Sequence, residues 1–325
     1  MDHSADHGAA TALCRLRKVA IVPCHNEAGA IAKVVDDLRA AVPDMEIYVY
    51  DNASTDGTDD VARAAGAHVR YETLKGKGNV VRRAMADLDA DVYLLIDGDD
   101  TYDAAAAPAM IQMLLDGPYD QVTGVRTQQT DSAYRAGHEL GNKAFNAVVS
   151  EIFGYPVTDM LSGYRVFSRR FVKSFPAVSK AFEIETELTV HAVNARLPQT
   201  EFPVGFKDRA EGTESKLRTY HDGFRILNMI LKLVQMERPM VMHSVIAGIL
   251  FAVGVVLGIP VIIDFVHTGL VPRLPTAVLA SSMVLLSVLA LMIGIILDGL
   301  RKVRQENIRT TYLAHPAPHA EAWAK

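Results

Sequence analysis

Between Arg17 and Lys216, short β-branched runs alternate with segments of helical period, and each run ends at a cluster of polar residues. Lys18–Val22 (KVAIV), Glu46–Tyr50 (EIYVY), His68–Tyr71, Val92–Ile96 (VYLLI) and Gln121–Val125 read as strands. Ala28–Ala41, Thr58–Ala65, Gly78–Leu88 and Ala105–Leu115 read as helices. Farther on, Phe182–Arg196 reads as a helix and Glu201–Val204 as a last short strand. The βαβα alternation predicts a mostly parallel sheet covered by helices. Ligands of open α/β sheets bind beyond the carboxyl ends of the strands, so CHNE after the first strand, DNASTDG after the second and DGDD after the fourth should converge on one crevice.

The pattern changes near residue 240. Val241–Ile263 and Pro275–Leu297 are runs of 23 residues without a full charge, each long enough to cross a hydrocarbon core of about 30 Å at about 1.5 Å per residue. Two buried helices of a soluble core would be shorter and carry polar punctuation. The connection Asp264–Leu274 has only Arg273 as a cation, whereas Arg225, Lys232 and Arg238 precede the pair and Arg301, Lys302, Arg304 and Arg309 follow it. Positive charge favours the cytoplasmic side, so both flanks are expected there, giving a multi-pass protein of the inner (cytoplasmic) membrane with its N-terminal part in the cytoplasm. The first residues, MDHSADHGAATALCRL, lack the basic start and apolar core of a signal peptide. Tyr220–Met236 is amphipathic; it fits a membrane-surface helix and, equally, a helix packed back on the soluble part.

Composition narrows the function classes. Half of the 325 residues are hydrophobic, and the formal charge is −5, from 33 Lys+Arg against 38 Asp+Glu. No basic field exists of the kind non-specific nucleic-acid binding requires, so no nucleic-acid partner is expected. Two cysteines, Cys14 and Cys24, lie too close together to staple a fold of this length.

The chemistry concentrates in three loops. Asp97 and Asp99 of the DGDD turn are hard oxygen ligands suited to Mg2+ or Mn2+, which in turn bridges phosphate oxygens; an Asp-Gly turn whose acids only satisfy backbone donors is the bland alternative. Asp51 can accept from a nucleobase N–H or a ribose hydroxyl, while Ser54 or Asp56 can cap the next helix. Lys75-Gly76-Lys77-Gly78-Asn79 precedes a helix, so its free N–H groups and lysines could approach a pyrophosphate. No GxGxxG follows the first strand, which disfavours a dehydrogenase.

Taken in order, VPCHNE (22–27), YDNASTDGT (50–58), GKGNVVR (76–82), DGDD (97–100) and SGYRVF (162–167) resemble the inverting family 2 glycosyltransferases of GT-A fold. Within that family the chain looks like the polyprenyl-phosphate sugar transferases, relatives of dolichyl-phosphate mannose and glucose synthases and of bactoprenol glucosyltransferases. The resemblance covers about two-thirds of the chain, through RAEGTESK at 209–216. It implies an α/β GT-A nucleotide-diphospho-sugar transferase fold followed by a two-helix transmembrane hairpin. The expected division is an N-terminal tail (1–16), a catalytic domain (17–217), a juxtamembrane helix (218–240), two spans (241–300) and a cytoplasmic tail (301–325).

The resemblance also assigns roles. Pro23, Glu27 and Asp51 would line the nucleotide pocket with Lys77 near it, and Asn26, Ser54 and Gly78 belong to the same loops. Asp97 and Asp99 would hold the metal, with Thr101 standing where many relatives have a Gln, which puts a third protein ligand in doubt. Arg126 and Arg165 would contact the acceptor phosphate, and Lys216 would close over the donor phosphates. The helix carboxylate of the site is Glu185 or Glu187, with the alignment leaning to Glu187. The implied partners are a nucleotide-sugar donor (a UDP-hexose or UDP-N-acetylhexosamine by analogy with bacterial relatives), a polyprenyl phosphate such as undecaprenyl phosphate, and the membrane; a homo-oligomer is compatible with the sequence. Two rivals stand beside this reading: a processive polysaccharide synthase, whose Q-x-x-R-W signature is absent because the only Trp is Trp323, and a non-catalytic membrane-anchored scaffold.

Overall fold

The apolar runs beginning at residues 18, 46, 68, 92 and 121 all become strands in the computed structural model, which describes residues 16–128, 158–177, 184–207, 235 and 238–318. Two units can be distinguished, one of Met1–Lys216 with Asn307–Lys325 and the other of Leu217–Glu306.

In the first unit the described strands are β1 (Lys18–Cys24), β2 (Glu46–Asp51), β3 (His68–Tyr71), β4 (Val92–Leu95), β5 (Gln121–Gln128), β6 (Arg165–Ser168) and β7 (Gln199–Phe206). They form one sheet in the order β3-β2-β1-β4-β6-β5-β7. Pairings β1–β2, β2–β3, β1–β4 and β5–β7 are parallel, and β6 alone runs against its neighbours β4 and β5. The chain order reverses beside β1, between β2 and β4, and this places a crevice at the carboxyl ends of those three strands. The short antiparallel β6 was not among the expected strands.

Alternation along each strand feeds two cores, one on each sheet face. On one side Ala20, Val22, Val49, Leu94 and Val166 meet α1 (Ile31–Ala41), α2 (Thr58–Ala64) and α4 (Ala107–Asp116). On the other, Val19, Ile21, Tyr50, Tyr93 and Phe167 meet α3 (Lys77–Asp87), α5 (Arg169–Ser174) and α6 (Ile184–Asn194). Helix α1 buries Ile31, Val34, Val35 and Leu38, the i, i+3, i+4, i+7 stripe of an amphipathic helix. It starts at Ile31 rather than Ala28 because Glu27 O accepts from both Ala30 N and Ile31 N, closing a turn first.

The apolar runs beyond residue 238 form α7 (Pro239–Thr268) and α8 (Leu274–Leu313), whose most apolar stretches have mean hydropathies of 2.8 and 2.5. Both are long and apolar enough to cross a membrane, and Val256, Ile262, Leu285 and Ile296 are exposed along them. Pro239 sits in the first turn of α7, where its missing N–H costs nothing, and Gly269 ends the helix at φ +69° with its N–H donating to Phe265 O at 2.8 Å. Gly254 lets α7 approach Ala280, Met283 and Val284 of α8, as small residues do between membrane helices.

The end of α8 departs from the expected tail. Residues from Asn307 onward group with the first unit, and Tyr312 is buried in the same hydrophobic core as Tyr93, Phe167 and Phe171. Its hydroxyl donates to Asp120 Oδ2 at 2.7 Å. Asp120, fully buried before β5, also accepts from Ser168 Oγ at 2.6 Å and from Arg170 Nε and Nη2 at 2.5 and 2.8 Å. Arg170 and Arg309 lie over the Tyr312 ring, 4.6 and 5.2 Å from its centroid.

Candidate active site

Three loops follow the carboxyl ends of β1, β2 and β4, and each contains one non-glycine residue in the left-handed region: Asn26 (φ 59°), Ala53 (φ 58°) and Asp100 (φ 57°). Such strain persists only where surrounding bonds hold it. Here the first two loops are stitched together. Ser54 Oγ accepts from Asn26 N (3.0 Å), Thr58 Oγ1 from Glu27 N (2.9 Å), Asp56 Oδ2 from Ala28 N (3.0 Å) and Asn26 Oδ1 from Thr55 N (2.8 Å). Asn26 and Ser54 are thus engaged with each other's loops. Asp56 takes up the Thr58 N–H at the start of α2, in line with a capping role.

Asn52, which the sequence reading passed over, organises the third side. Buried beside Asp51, it donates to Glu72 O and Leu74 O at 2.8 and 2.9 Å and accepts from Gly76 N at 2.7 Å. That fixes the turn leading into α3, which begins with Lys77 and the buried Gly78. Asp51 is buried too. Its Oδ2 accepts from Ser54 N at 3.2 Å, while Oδ1 has no hydrogen-bond partner among the described residues. A buried carboxylate oxygen left open is costly unless something meets it. Pro23 is half-buried in β1, one residue before Cys24, which pairs in register with Asp51.

Four acids act on the buried Cys24 thiol. Burial pushes its pKa well up, and Glu27, Asp51, Asp97 and Asp99 each push it further, so all four carboxylates lie in its neighbourhood. The thiol also explains Gly98 of the DGDD turn: a Cβ there would run into Cys24 Sγ. In the same turn Asp99 Oδ1 accepts from Thr101 N and Oγ1 at 3.2 and 2.6 Å, and Asp100 Oδ1 pairs with Lys33 at 2.9 Å and Lys207 at 3.8 Å. Thr101 thus supports Asp99.

Lys77 is the buried centre of a charged triad. Its ammonium pairs with Asp97 Oδ1 and, at 2.6 Å, with Glu185 Oε1. Burial disfavours the charged ammonium, but the two carboxylates outweigh it and hold the Lys77 pKa above the ordinary lysine range. Burial raises that of Glu185, opposed by Lys77, and Glu185 Oε2 has no hydrogen-bond partner among the described residues. The backbone of Gly163 lies against the pair: a Cβ would come 2.5 Å from Asp97 Oδ2 and 2.8 Å from Lys77 Nζ. Gly163 N donates to Tyr102 Oη at 2.9 Å, which fixes that approach.

This geometry bears on two expectations. The carboxylate that α6 brings to Asp97 and Lys77 is Glu185, not the preferred Glu187, which lies two residues on and so about 200° around the helix. Arg165, expected at the acceptor phosphate, is bonded within the fold. It is fully buried at the start of β6 and donates to Ser162 O, Met160 O and Thr189 Oγ1 at 2.9, 2.7 and 2.9 Å. Burial pushes its pKa down to about 10. Its guanidinium ties the 160–162 loop to α6. Arg126 is partly exposed on β5 but forms a bidentate pair with Asp159, at 2.7 Å from Nε and Nη2, and lies over the Phe206 ring. Lys216 and most of the amphipathic segment 220–236 lie outside the described residues.

The donor set fits a divalent metal held in part by its ligand. Among the described residues no three His, Cys, Asp or Glu side chains are grouped to hold one. Asp97 and Asp99, both partly exposed at the crevice, are the hard oxygen donors that Mg2+ or Mn2+ takes one or two at a time, leaving positions for phosphate oxygens and water.

The acid-lined crevice lies at the carboxyl ends of β1, β2 and β4, where open α/β sheets bind ligands, and comparison with known proteins gives the family. The family model for glycosyl transferase family 2 matches residues 19–175. A Haloferax volcanii glycosyltransferase, AglJ, is 31% identical over 291 residues, covering 89% of this chain and 95% of its own. The Shigella flexneri protein RfbJ is 55% identical over 119 residues, 36% of this chain and 92% of its own. An undecaprenyl-phosphate mannosyltransferase of Micrococcus luteus is 25% identical over 228 residues, 66% of this chain and 93% of its own. Glucosyl-3-phosphoglycerate synthase of Mycobacterium tuberculosis, solved with Mn2+, UDP-glucose and phosphoglyceric acid, superposes with a TM-score of 0.56 at 20% identity, over 72% of this chain and 84% of that one, which shows a shared GT-A-like fold. The chain belongs to glycosyl transferase family 2.

Proposed function

We propose that this glycosyltransferase moves a single sugar from a nucleotide diphosphate sugar to a polyprenyl phosphate such as undecaprenyl phosphate, at the cytoplasmic face of the membrane and with inversion of the anomeric centre. The observation that carries the reading is the presence, in one chain, of an acid-lined crevice at the sheet's switch point and two helices of membrane-spanning length and hydropathy. A family 2 site could serve many acceptors; the apolar helices favour one that resides in a bilayer.

The chemistry asks little of a base. A phosphate monoester with a second pKa of about 6 is already largely dianionic near neutrality, so its oxygen can attack the anomeric carbon directly. The new C–O bond forms on the face opposite the departing nucleoside diphosphate, which leaves with the electron pair of the old bond. What the site must supply is alignment and positive charge. In this reading the open Oδ1 of Asp51 accepts from the base or ribose, and Pro23 and Glu27 line the same pocket. Asp97 and Asp99 would hold Mg2+ or Mn2+, whose charge offsets that gathering on the leaving diphosphate. Lys77 and the N-terminal turn of α3 face the same diphosphate, Arg126 is the candidate for the acceptor phosphate, and Lys216 for closure over the donor. Glu185 holds Lys77 and Asp97 in register.

The test is to incubate purified protein in nanodiscs with Mg2+ or Mn2+, undecaprenyl phosphate and radiolabelled UDP-, GDP- and dTDP-sugars, counting label in the organic phase. Acceptor-dependent label from one donor is the expected result. Label that enters a polymer instead supports the processive alternative, and a protein that binds no nucleotide sugar supports the scaffold.

A further inference from the structure

We infer that Lys77 is the resident counter-ion of the metal position: its ammonium occupies Asp97 until a nucleoside diphosphate arrives, so that divalent metal and nucleotide bind as a coupled pair and metal alone binds weakly. The inference deepens the donor-site reading and rests on it.

The Lys77 side chain is 8% exposed and lies between Asp97 and Glu185, ion-paired to both. It has little freedom to withdraw. The Gly163 backbone presses on the Asp97–Lys77 contact, Tyr102 Oη anchors Gly163, and Arg165 fixes the loop before it through Ser162 O and Met160 O. A divalent cation that approaches Asp97 in the absence of nucleotide must therefore displace a buried ammonium and leave it with Glu185 alone. Separating a buried ion pair without a replacement partner is strongly unfavourable. A diphosphate changes the balance, because it brings oxygens for the metal and a new anionic partner for the ammonium at the N-terminal turn of α3, where Lys77 is the first residue. The same exchange in reverse leaves the site neutralised when the nucleotide departs. Asp99 Oδ1 accepts from Thr101 N and Oγ1, and the ion pair with Lys77 is made by Asp97.

The experiment titrates Mn2+ into the full-length protein in nanodiscs, reading free Mn2+ by electron paramagnetic resonance, without nucleotide, with UDP, and with GDP in parallel. In the wild type, Mn2+ binding should tighten about tenfold or more when the matching nucleotide is present, within the usual range of coupling between two sites. Lys77→Met should bind Mn2+ alone about tenfold more tightly than the wild type does and lose most of the nucleotide-dependent gain, while Lys77→Arg, which keeps the cation, should stay weak. If Lys77→Met fails to fold, Lys77→Gln, which retains a hydrogen bond to Glu185, carries the same comparison. Coupled binding in the wild type with no gain in Mn2+ affinity in the uncharged variants overturns the counter-ion inference and leaves the donor site standing. A wild type that binds neither nucleotide, with or without Mn2+, overturns both.

Discussion

The two ends of the sheet treat their carboxylates in opposite ways. At the amino ends of the parallel strands carboxylates are saturated: Asp120 takes bonds from Ser168, Arg170 and Tyr312, and Glu46 takes Arg17 and Tyr48. At the carboxyl ends Asp51 Oδ1 and Glu185 Oε2 are buried with no hydrogen-bond partner among the described residues, and three left-handed non-glycine residues hold the loops around them. A protein tolerates open buried oxygens and strained turns where a ligand will complete them, and closes them elsewhere. On the proposed reading the contrast separates Asp120, which holds the fold, from Asp51, which takes the nucleotide, although both are buried.

The contrast can be broken by substitution. Asp120→Ala should cost the most, about 3–5 kcal/mol of stability, because it leaves Arg170 beside a buried hydroxyl with no carboxylate; a thermal melt reads it. Asp99→Ala should instead lower sugar transfer by at least about a hundredfold while the melting temperature stays close to wild type, and unchanged activity would remove the metal assignment. Gly98→Ala should destabilise by about 1–3 kcal/mol through overpacking against Cys24, and Gly98→Ala with Cys24→Ala should recover part of that loss, which a double-mutant cycle measures. Tyr312→Phe removes one hydrogen bond to a charged group and should cost about 1.5 kcal/mol without touching transfer per folded molecule.

The smallest effect concerns the exposed rim. The Arg17 guanidinium, followed by the Tyr48 hydroxyl, holds the Glu46 carboxyl down at about 2 from an ordinary 4.5. A depressed carboxyl pKa stabilises the fold above the unfolded value and loses that stabilisation as pH falls from about 4.5 to about 2. Both partners are more than a third exposed, so solvent screening keeps the contribution under about 1 kcal/mol, and Glu46→Gln should barely shift a melt at pH 7.

Much of this was legible in the sequence because parallel strands announce themselves as apolar runs ending in polar clusters. The strands of residues 18–24, 46–51 and 92–95, and hence the crevice of Asp51, Asp97 and Asp99, follow from that pattern alone. β6 did not, since four residues, RVFS, buried on both faces between two neighbours, carry no period. Nor could the sequence show how far Arg165 is buried: SGYR marks it as special, and only the structure shows it bonded to the 160–162 loop and Thr189. The ambiguity between Glu185 and Glu187 has a physical source. Helix α6 buries Ile184, Glu185, Thr186, Leu188, Thr189 and Val190, so it has no clean apolar stripe from which a site-facing residue could be chosen. Tyr312 was hidden for a different reason, lying in a charged stretch after a membrane-length run, where a solvated tail is the ordinary expectation.

The most direct measurement counts organic-phase label in the same nanodiscs for wild type, Asp99→Ala and Tyr312→Phe, with and without undecaprenyl phosphate. The account predicts acceptor-dependent labelled lipid from wild type and from folded Tyr312→Phe, and none from Asp99→Ala. Labelled lipid formed equally by Asp99→Ala, or label that ignores the polyprenyl phosphate, would contradict it.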